Sequence, residues 1–176
     1  MYTAAYIGSL INAQRLAYLL QPAGYDLVVF DPDATDVVSG TEGQLTRVAT
    51  LQELTEKVAS KRIICLDITP PETVDAVLED IKFSLAVSDV IIHIAQAPAA
   101  DTVRRARDLE ALQLHLLDCS LTTPPAATLA VGGNRFAFND SLPLLQAIAP
   151  HTTIQYAGRP GAGHAATQPL HNTPAG

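Results

Sequence analysis

The chain has few basic side chains, few cysteines and no long apolar run. Its 176 residues include 11 lysines and arginines against 18 acids, for a formal net charge of −7. A protein without a basic face cannot neutralise a nucleic-acid backbone, so we expect no nucleic-acid partner. No apolar run approaches the roughly 20 residues of a bilayer-spanning helix, so we expect no membrane partner either.

The positions of the cysteines and of the basic residues argue against a disulfide scaffold and against a basic binding patch. The two cysteines, Cys65 and Cys119, lie in apolar, strand-like runs and indicate a reducing cytoplasm rather than a disulfide scaffold. The one basic cluster comprises Arg104, Arg105 and Arg107 and is interleaved with acids, which predicts a solvated helix face. The histidines and cysteines lack recognised metal-ligand spacing, so we expect no metal site.

What the sequence does contain is an alternation of β-rich runs and amphipathic stretches, in one chain that is 48% hydrophobic. This pattern predicts a doubly wound α/β domain, with a mostly parallel sheet and helices on both faces. The domain should span 1–157, and 158–176, rich in Gly, Pro and Ala, should form an extended tail. The predicted strands are 3–8, 26–31, 45–49, 61–67, 89–95, 114–119, 126–131 and 152–157.

Residues 3–31 resemble a dinucleotide-binding unit with an altered phosphate loop. They predict a strand, a helix and a second strand that ends in Asp31. The Gly-x-Gly-x-x-Gly positions instead begin Gly8-Ser9-Leu10 and end in Ala13, so a branched side chain occupies the point where a pyrophosphate approaches the backbone. Any retained cofactor would be held by Gly8, Ser9, Leu10 and Asp31.

Asp31 has two interpretations. A carboxylate at the end of the second strand suits hydrogen bonds from an adenosine ribose, and with no arginine after it the preference would be NAD over NADP. Alternatively, Asp31-Pro32-Asp33 is a polar turn. Together with Leu10, this ambiguity predicts either no cofactor or weakly bound NAD.

Two later segments carry a resemblance to a known family. Residues 129–150, LAVGGNRFAFNDSLPLLQAIAP, are similar to the strand, Gly-Gly turn and proline-containing helix of 6-phosphogluconate dehydrogenases and their β-hydroxyacid dehydrogenase relatives. Residues 157–164, AGRPGAGH, resemble the segment that leads into the family's interdomain helix. The resemblance implies a Rossmann-type, NAD(P)-binding N-terminal domain followed by a helical domain that completes the active site.

The sequence departs from the family pattern at the positions where the resemblance places the cofactor-binding, substrate-binding and catalytic residues. The stretch 93–97, His-Ile-Ala-Gln-Ala, replaces the family's Asp-Gly-Gly-Asn loop, and 122–124 replaces its Ser-Gly-Gly substrate loop. No lysine follows His164, where the resemblance places the catalytic one, and His171-Asn172 lies one residue beyond the family's His-Asn pair. Pro169 and Pro174 interrupt the interdomain helix, so we expect the helical domain to be absent. These departures together predict a pseudoenzyme without hydride transfer.

Polar residues near predicted strand ends offer other chemistry. They are Ser9, Asp31, Asp67, His93, Asp118 and Cys119. His93 is the candidate acid or base near neutral pH in a vacated cofactor crevice; the alternative, which an apolar strand favours, is a satisfied histidine without a catalytic role. Cys119 fits a small buried hydrophobe better than a nucleophile.

Three functional hypotheses follow: a ligand- or partner-binding pseudoenzyme, a small NAD-dependent oxidoreductase completed by a partner chain, and a non-redox enzyme using His93. A sheet domain without its helical partner should expose apolar surface. We therefore expect a homo-oligomer, or a complex with a protein partner or small ligand. The alternative for 158–176 is a disordered terminus.

Overall fold

The computed structural model describes residues 2–35, 39–58, 61–122 and 127–166. Within them, helices and strands alternate along most of the chain, as the sequence predicts. The strands are β1 (Tyr2–Gly8), β2 (Tyr25–Phe30), β3 (Gly40–Glu42), β4 (Leu45–Arg47), β5 (Ile63–Asp67), β6 (Val90–His93), β7 (His115–Thr122), β8 (Thr128–Gly132) and β9 (Thr153–Gly158). The helices are α1 (Leu10–Leu20), α2 (Leu51–Lys57), α3 (Pro71–Ile81), α4 (Ala99–Glu110), α5 (Arg135–Ile148) and α6 (Ala162–Ala165). Short 3-10 turns follow α1 and α3, at Gln21–Ala23 and Lys82–Ser84.

All nine strands of the described chain join one sheet in the order β3-β4-β2-β1-β5-β6-β7-β8-β9. Two pairings, β3 with β4 and β7 with β8, are antiparallel, and the others are parallel. The predicted doubly wound, mostly parallel α/β fold is therefore confirmed. The eight predicted strands are present, and the short edge strand β3 was not predicted.

Local sequence signals explain where several helices begin. The Thr50 hydroxyl accepts the Glu53 N–H at 3.0 Å, and the Glu53 carboxylate accepts the Ala49 N–H at 3.0 Å, so a variant of the capping box, with its return bond one residue before the N-cap, opens α2. The Asn134 side chain accepts the N–H groups of Phe136 and Ala137 and is the N-cap of α5.

Each face of the sheet is covered by its own apolar cluster. The α1 and α5 side includes Ala4, Tyr6, Ala13, Cys65, Ile92, Leu117, Cys119, Phe138 and Leu144. The α2, α3 and α4 side includes Ala5, Ile7, Leu54, Ile64, Leu66, Val74, Ile91, Leu109 and Leu116. Neighbouring residues of each central strand alternate between the two clusters, as period-two side-chain geometry requires. Burial of each large apolar side chain contributes about 1.5–3 kcal/mol to folding.

The segment after β9 packs against the sheet as far as the structure describes it. Gly163 and His164, in the short helix α6, are both buried. An extended conformation was predicted for 158–176, so α6 corrects that prediction for 162–165. Residues 167–176, including Pro169, His171, Asn172 and Pro174, lie outside the described residues. None of the described helices has both the length and the hydropathy to cross a bilayer.

Candidate functional site

The turn between β1 and α1 is shaped by the packing of β1 on β5. Gly8 pairs with Asp67 in the sheet and has a φ of 156°, and a Cβ at this position would lie 2.5 Å from the Asp67 carbonyl oxygen. The first glycine of the loop is therefore required by the fold itself, whether or not a ligand binds.

Protein groups already occupy the first turn of α1. The Leu10 N–H donates to the Asp31 carboxylate at 2.9 Å, and the Asn12 N–H donates to the Ser9 hydroxyl at 3.4 Å. The second oxygen of Asp31 accepts the Asp33 N–H at 3.0 Å. Asp31 thus makes the polar turn and also places a carboxylate at the positive end of the α1 dipole. Ribose binding by Asp31 stays a prediction.

A second carboxylate, Asp67, borders the same turn. One of its oxygens accepts the Tyr6 hydroxyl at 2.6 Å and the Asn12 side-chain N–H at 3.2 Å. Tyr6 is buried, and burial, reinforced by the Asp67 carboxylate, raises the pKa of its hydroxyl well above the usual range. Two carboxylates, Asp31 and Asp67, therefore contact the turn where a dinucleotide would place its pyrophosphate. Tyr6 and Asn12 were not predicted as part of this site.

His93 lies on the other face of the sheet. The side chain of Ile92 is in the α1-side cluster and that of Ile91 in the opposite cluster, so alternation turns His93 away from α1. Its ring is 1% exposed and meets the His164 ring edge-on, with centroids 5.0 Å apart. Neither ring nitrogen of His93 has a hydrogen-bond partner among the described residues. The structure therefore does not bring His93 together with Ser9, Leu10 and Asp31.

Electrostatics keep His93 neutral. Burial first, and then the neighbouring His164 and Arg105, lower its pKa from 6.5 to about 3. An imidazole with that pKa is unprotonated near neutral pH and is a weak base. The catalytic role of His93 and its predicted place on the floor of the cofactor crevice stay predictions.

The His164 ring joins α4 to the segment after β9. Its Nδ1 lies 2.8 Å from the Thr102 hydroxyl. Burial lowers the pKa of His164, while the Asp118 carboxylate and the backbone groups of His93 and Ala95 act in the opposite direction.

Asp118 holds the same segment through its backbone. Its two carboxylate oxygens accept the Gly161 N–H at 2.8 Å and the His164 N–H at 2.7 Å, and its side chain is fully buried. The Ser120 hydroxyl donates to the Gly163 carbonyl. A Cβ on Gly163 would lie 2.1 Å from the Asp118 carbonyl oxygen, so glycine is required there. This strand-end carboxylate therefore fastens the chain rather than facing a crevice.

The arginine cluster on α4 is not uniformly solvated. Arg105 is 2% exposed and donates from Nε to the Asp75 carboxylate at 2.6 Å. Arg104 donates to the other Asp75 oxygen at 2.7 Å. The bond from Arg105 is the main cause that lowers the pKa of Asp75. The predicted solvated face is wrong for Arg105 because the residue lies on the side of α4 that meets α3, while Arg107 is exposed.

The two cysteines are buried on the α1 side of the sheet, in reduced form. Burial raises the pKa of Cys65 to about 12 and that of Cys119 well above its ordinary value. Both therefore stay thiols near neutral pH, and the interpretation of Cys119 as a small hydrophobe is supported. In the described part of the chain, no group of three or more His, Cys, Asp or Glu is placed to hold a metal ion. Of the altered substrate loop, Thr123 and Pro124 lie outside the described residues.

Comparison with known proteins gives a consistent family. The family model that matches residues 4–158 describes the NAD binding domain of 6-phosphogluconate dehydrogenase. An NAD(+)-dependent, decarboxylating 6-phosphogluconate dehydrogenase from Haloferax volcanii is 28% identical over 148 residues, which are 81% of this chain and 48% of that protein. The decarboxylating enzyme from Synechococcus elongatus is 28% identical over 90% of this chain and 36% of its own length. The chain therefore spans half or less of these relatives.

Solved structures share the fold at lower identity. A 3-hydroxyisobutyrate dehydrogenase from Mycobacterium tuberculosis superimposes with a TM-score of 0.77 at 22% identity, over 94% of this chain and 57% of that one. An imine reductase from Bacillus cereus superimposes with a TM-score of 0.74 at 17% identity, over 94% and 58%. At these identities the likeness establishes the fold alone.

Proposed function

The chain belongs to the family of NAD-binding domains of 6-phosphogluconate dehydrogenase, and from this premise we propose that it has lost hydride transfer. In this proposal it serves as a pseudoenzyme that binds a small ligand or a protein partner through the altered crevice beside α1. The Rossmann-type frame is kept because it holds the domain together, while the groups that would hold a pyrophosphate have been changed.

The occupied first turn of α1 carries the proposal. A pyrophosphate needs free N–H groups and open space at this turn. Here the Leu10 N–H is bonded to Asp31, and the leucine side chain stands where the family motif has glycine.

The two carboxylates add repulsion. At an effective dielectric constant near 20, a carboxylate about 6 Å from a phosphate charge costs on the order of 2–3 kcal/mol. Asp31 and Asp67 both contact residues of this turn, so both oppose the same anion. Together with the leucine, they favour a ligand without a pyrophosphate.

Isothermal titration calorimetry with NAD, NADH, NADP and NADPH tests the proposal. We expect no binding in the micromolar range by the unmodified chain. A Leu10→Gly/Asp67→Asn double variant should gain affinity, because it opens the turn and removes one charge. Ile11→Gly is the matched control, since Ile11 is exposed on the same turn and carries the same cost of glycine in a helix. Micromolar binding of any dinucleotide by the unmodified chain would contradict the proposal.

A small NAD-dependent oxidoreductase completed by a partner chain is the second candidate, and the position of Asp31 favours it. Each Asp31 oxygen accepts a single described hydrogen bond, so lone pairs remain for ribose hydroxyls. This candidate requires dinucleotide binding in the same titration. It also requires an assembly, either a homo-oligomer or a complex, that sedimentation of the purified chain and of chain with partner would detect.

A further inference from the structure

A cavity of about 240 Å³ lies at the end of the parallel strands that is opposite the turn between β1 and α1. It is bordered by the start of β7, the last turns of α4, the beginning of α5 and the residues after β9. Strands β1, β5, β6 and β7 are all parallel. The start of β7 and the end of β1 therefore lie at opposite ends of the strands. The cavity is therefore separate from the crevice considered above.

Its charged lining is mainly basic. Arg135 and Arg159 line the cavity, together with His115 and a single acid, Glu110. Among the described residues, neither arginine has a carboxylate within ion-pair distance. In a chain with seven more acids than bases, two arginines that form no described ion pair thus line one cavity.

The Arg135 guanidinium is held in a defined position. It lies 4.5 Å from the centroid of the Tyr156 ring, and the Tyr156 hydroxyl donates to the Gly133 carbonyl at 2.9 Å. A guanidinium that lies over an aromatic ring keeps N–H donors available for the paired oxygens of a carboxylate or phosphate. The wall of the cavity therefore orients an anion-binding group before any ligand arrives.

The beginning of α5 does not supply the binding groups. Asn134 already accepts the N–H groups of Phe136 and Ala137, so an anion in the cavity must be held by the arginine side chains. We propose that this cavity binds a small molecule through a carboxylate or phosphate group, which Arg135 and Arg159 contact together, while Glu110 disfavours additional negative charge.

Titration of the ¹⁵N-labelled chain with sodium phosphate, and separately with sodium succinate, at constant ionic strength tests the proposal. We expect saturable shifts of the Gly133, Gly158 and Arg159 amides with at least one of the two anions. Phosphate alone would assign a phosphate ligand, succinate alone a carboxylate ligand, and both would assign a general oxyanion site. The absence of saturable shifts with both anions would overturn the proposal.

Single substitutions distinguish a specific anion-binding site from general attraction of anions to positive charge. Charge-assisted hydrogen bonds contribute enough that Arg135→Gln and Arg159→Gln should each weaken binding about tenfold or more. Glu110→Gln should instead strengthen it. Arg15→Gln, an exposed arginine on α1 with the same loss of charge, is the matched control and should change little. Equal weakening by Arg15→Gln, or weaker binding by Glu110→Gln, would contradict the proposed site.

This proposal is independent of the one for the α1 crevice. Arg135→Gln should leave the dinucleotide titrations unchanged, since the cavity lies at the other end of the parallel strands. Dinucleotide binding by the unmodified chain would therefore contradict the proposed pseudoenzyme function and would leave the proposed anion site in the arginine cavity standing.

Discussion

The buried carboxylate of Asp118 should hold the segment 159–165 on the sheet, and Asp118→Asn should release it. The carboxylate accepts two N–H groups, from Gly161 and His164. An asparagine of the same shape can accept one of them, while its own N–H₂ group faces the other donor.

The size of the effect follows from these two bonds. A hydrogen bond to a charged group contributes about 1.5–3 kcal/mol, and an unsatisfied buried N–H costs about 1–3 kcal/mol. We therefore expect Asp118→Asn to lower the free energy that holds the segment by about 3 kcal/mol. That is roughly a hundredfold in an opening equilibrium, or about 6–12 °C in Tm if the whole domain unfolds with the segment.

Hydrogen exchange and urea unfolding together measure this. Exchange at the Gly161 and His164 amides should accelerate about a hundredfold, whether opening is local or global. The matched control is Asp140→Asn, which removes the same charge from an exposed position on α5. If both amides keep their protection, and the unfolding free energy stays within about 0.5 kcal/mol of the control, the reasoning is refuted.

Two further predictions concern the polar groups on either face of the sheet. Tyr6→Phe should lower the unfolding free energy by about 1–2 kcal/mol, since it leaves Asp67 without the hydroxyl that donates at 2.6 Å, and urea unfolding at pH 7 would show this. For His93, the pKa of 6.5 in the unfolded chain falls to about 3 on folding, so the unfolded chain takes up the proton first as pH falls. Its stabilisation is complete above pH 6.5 and is lost by about 1.4 kcal/mol per pH unit towards pH 3. His93→Gln should make the measured dependence of unfolding free energy on pH shallower, and an unchanged slope would contradict the assignment.

Much of the fold was predictable because its signals are local. The β1–α1–β2 unit follows from hydrophobic periodicity, and α2 follows from the Thr50 and Glu53 capping box. The edge strand β3 has three exposed residues and no apolar pattern, so nothing in the sequence marked it.

The polar clusters were harder to predict because their partners are distant in sequence. Arg105 is bonded to Asp75, 30 residues earlier, and His93 meets a histidine 71 positions later. One signal for Arg105 was available. Thr102, Arg105, Ala106 and Leu109 follow helical spacing and are all buried on α4, so the periodicity placed the arginine on the inner face.

The positions that are glycine in this chain, and the motif position that is leucine, show which glycines the fold requires and which one only a bound cofactor would require. A Cβ on Gly8 would meet the Asp67 backbone at 2.5 Å, and a Cβ on Gly132 or Gly163 would meet protein atoms at 2.7 Å or less. Each of these residues is glycine because neighbouring strands or segments leave no room for a side chain. Position 10 differs, because its side chain is partly buried and packs against the α1-side cluster. In the family motif this glycine is needed only for the close approach of a pyrophosphate. The chain therefore has glycine where the fold requires it and leucine at the position where the family motif needs glycine only for the cofactor, which supports the proposed loss of dinucleotide binding.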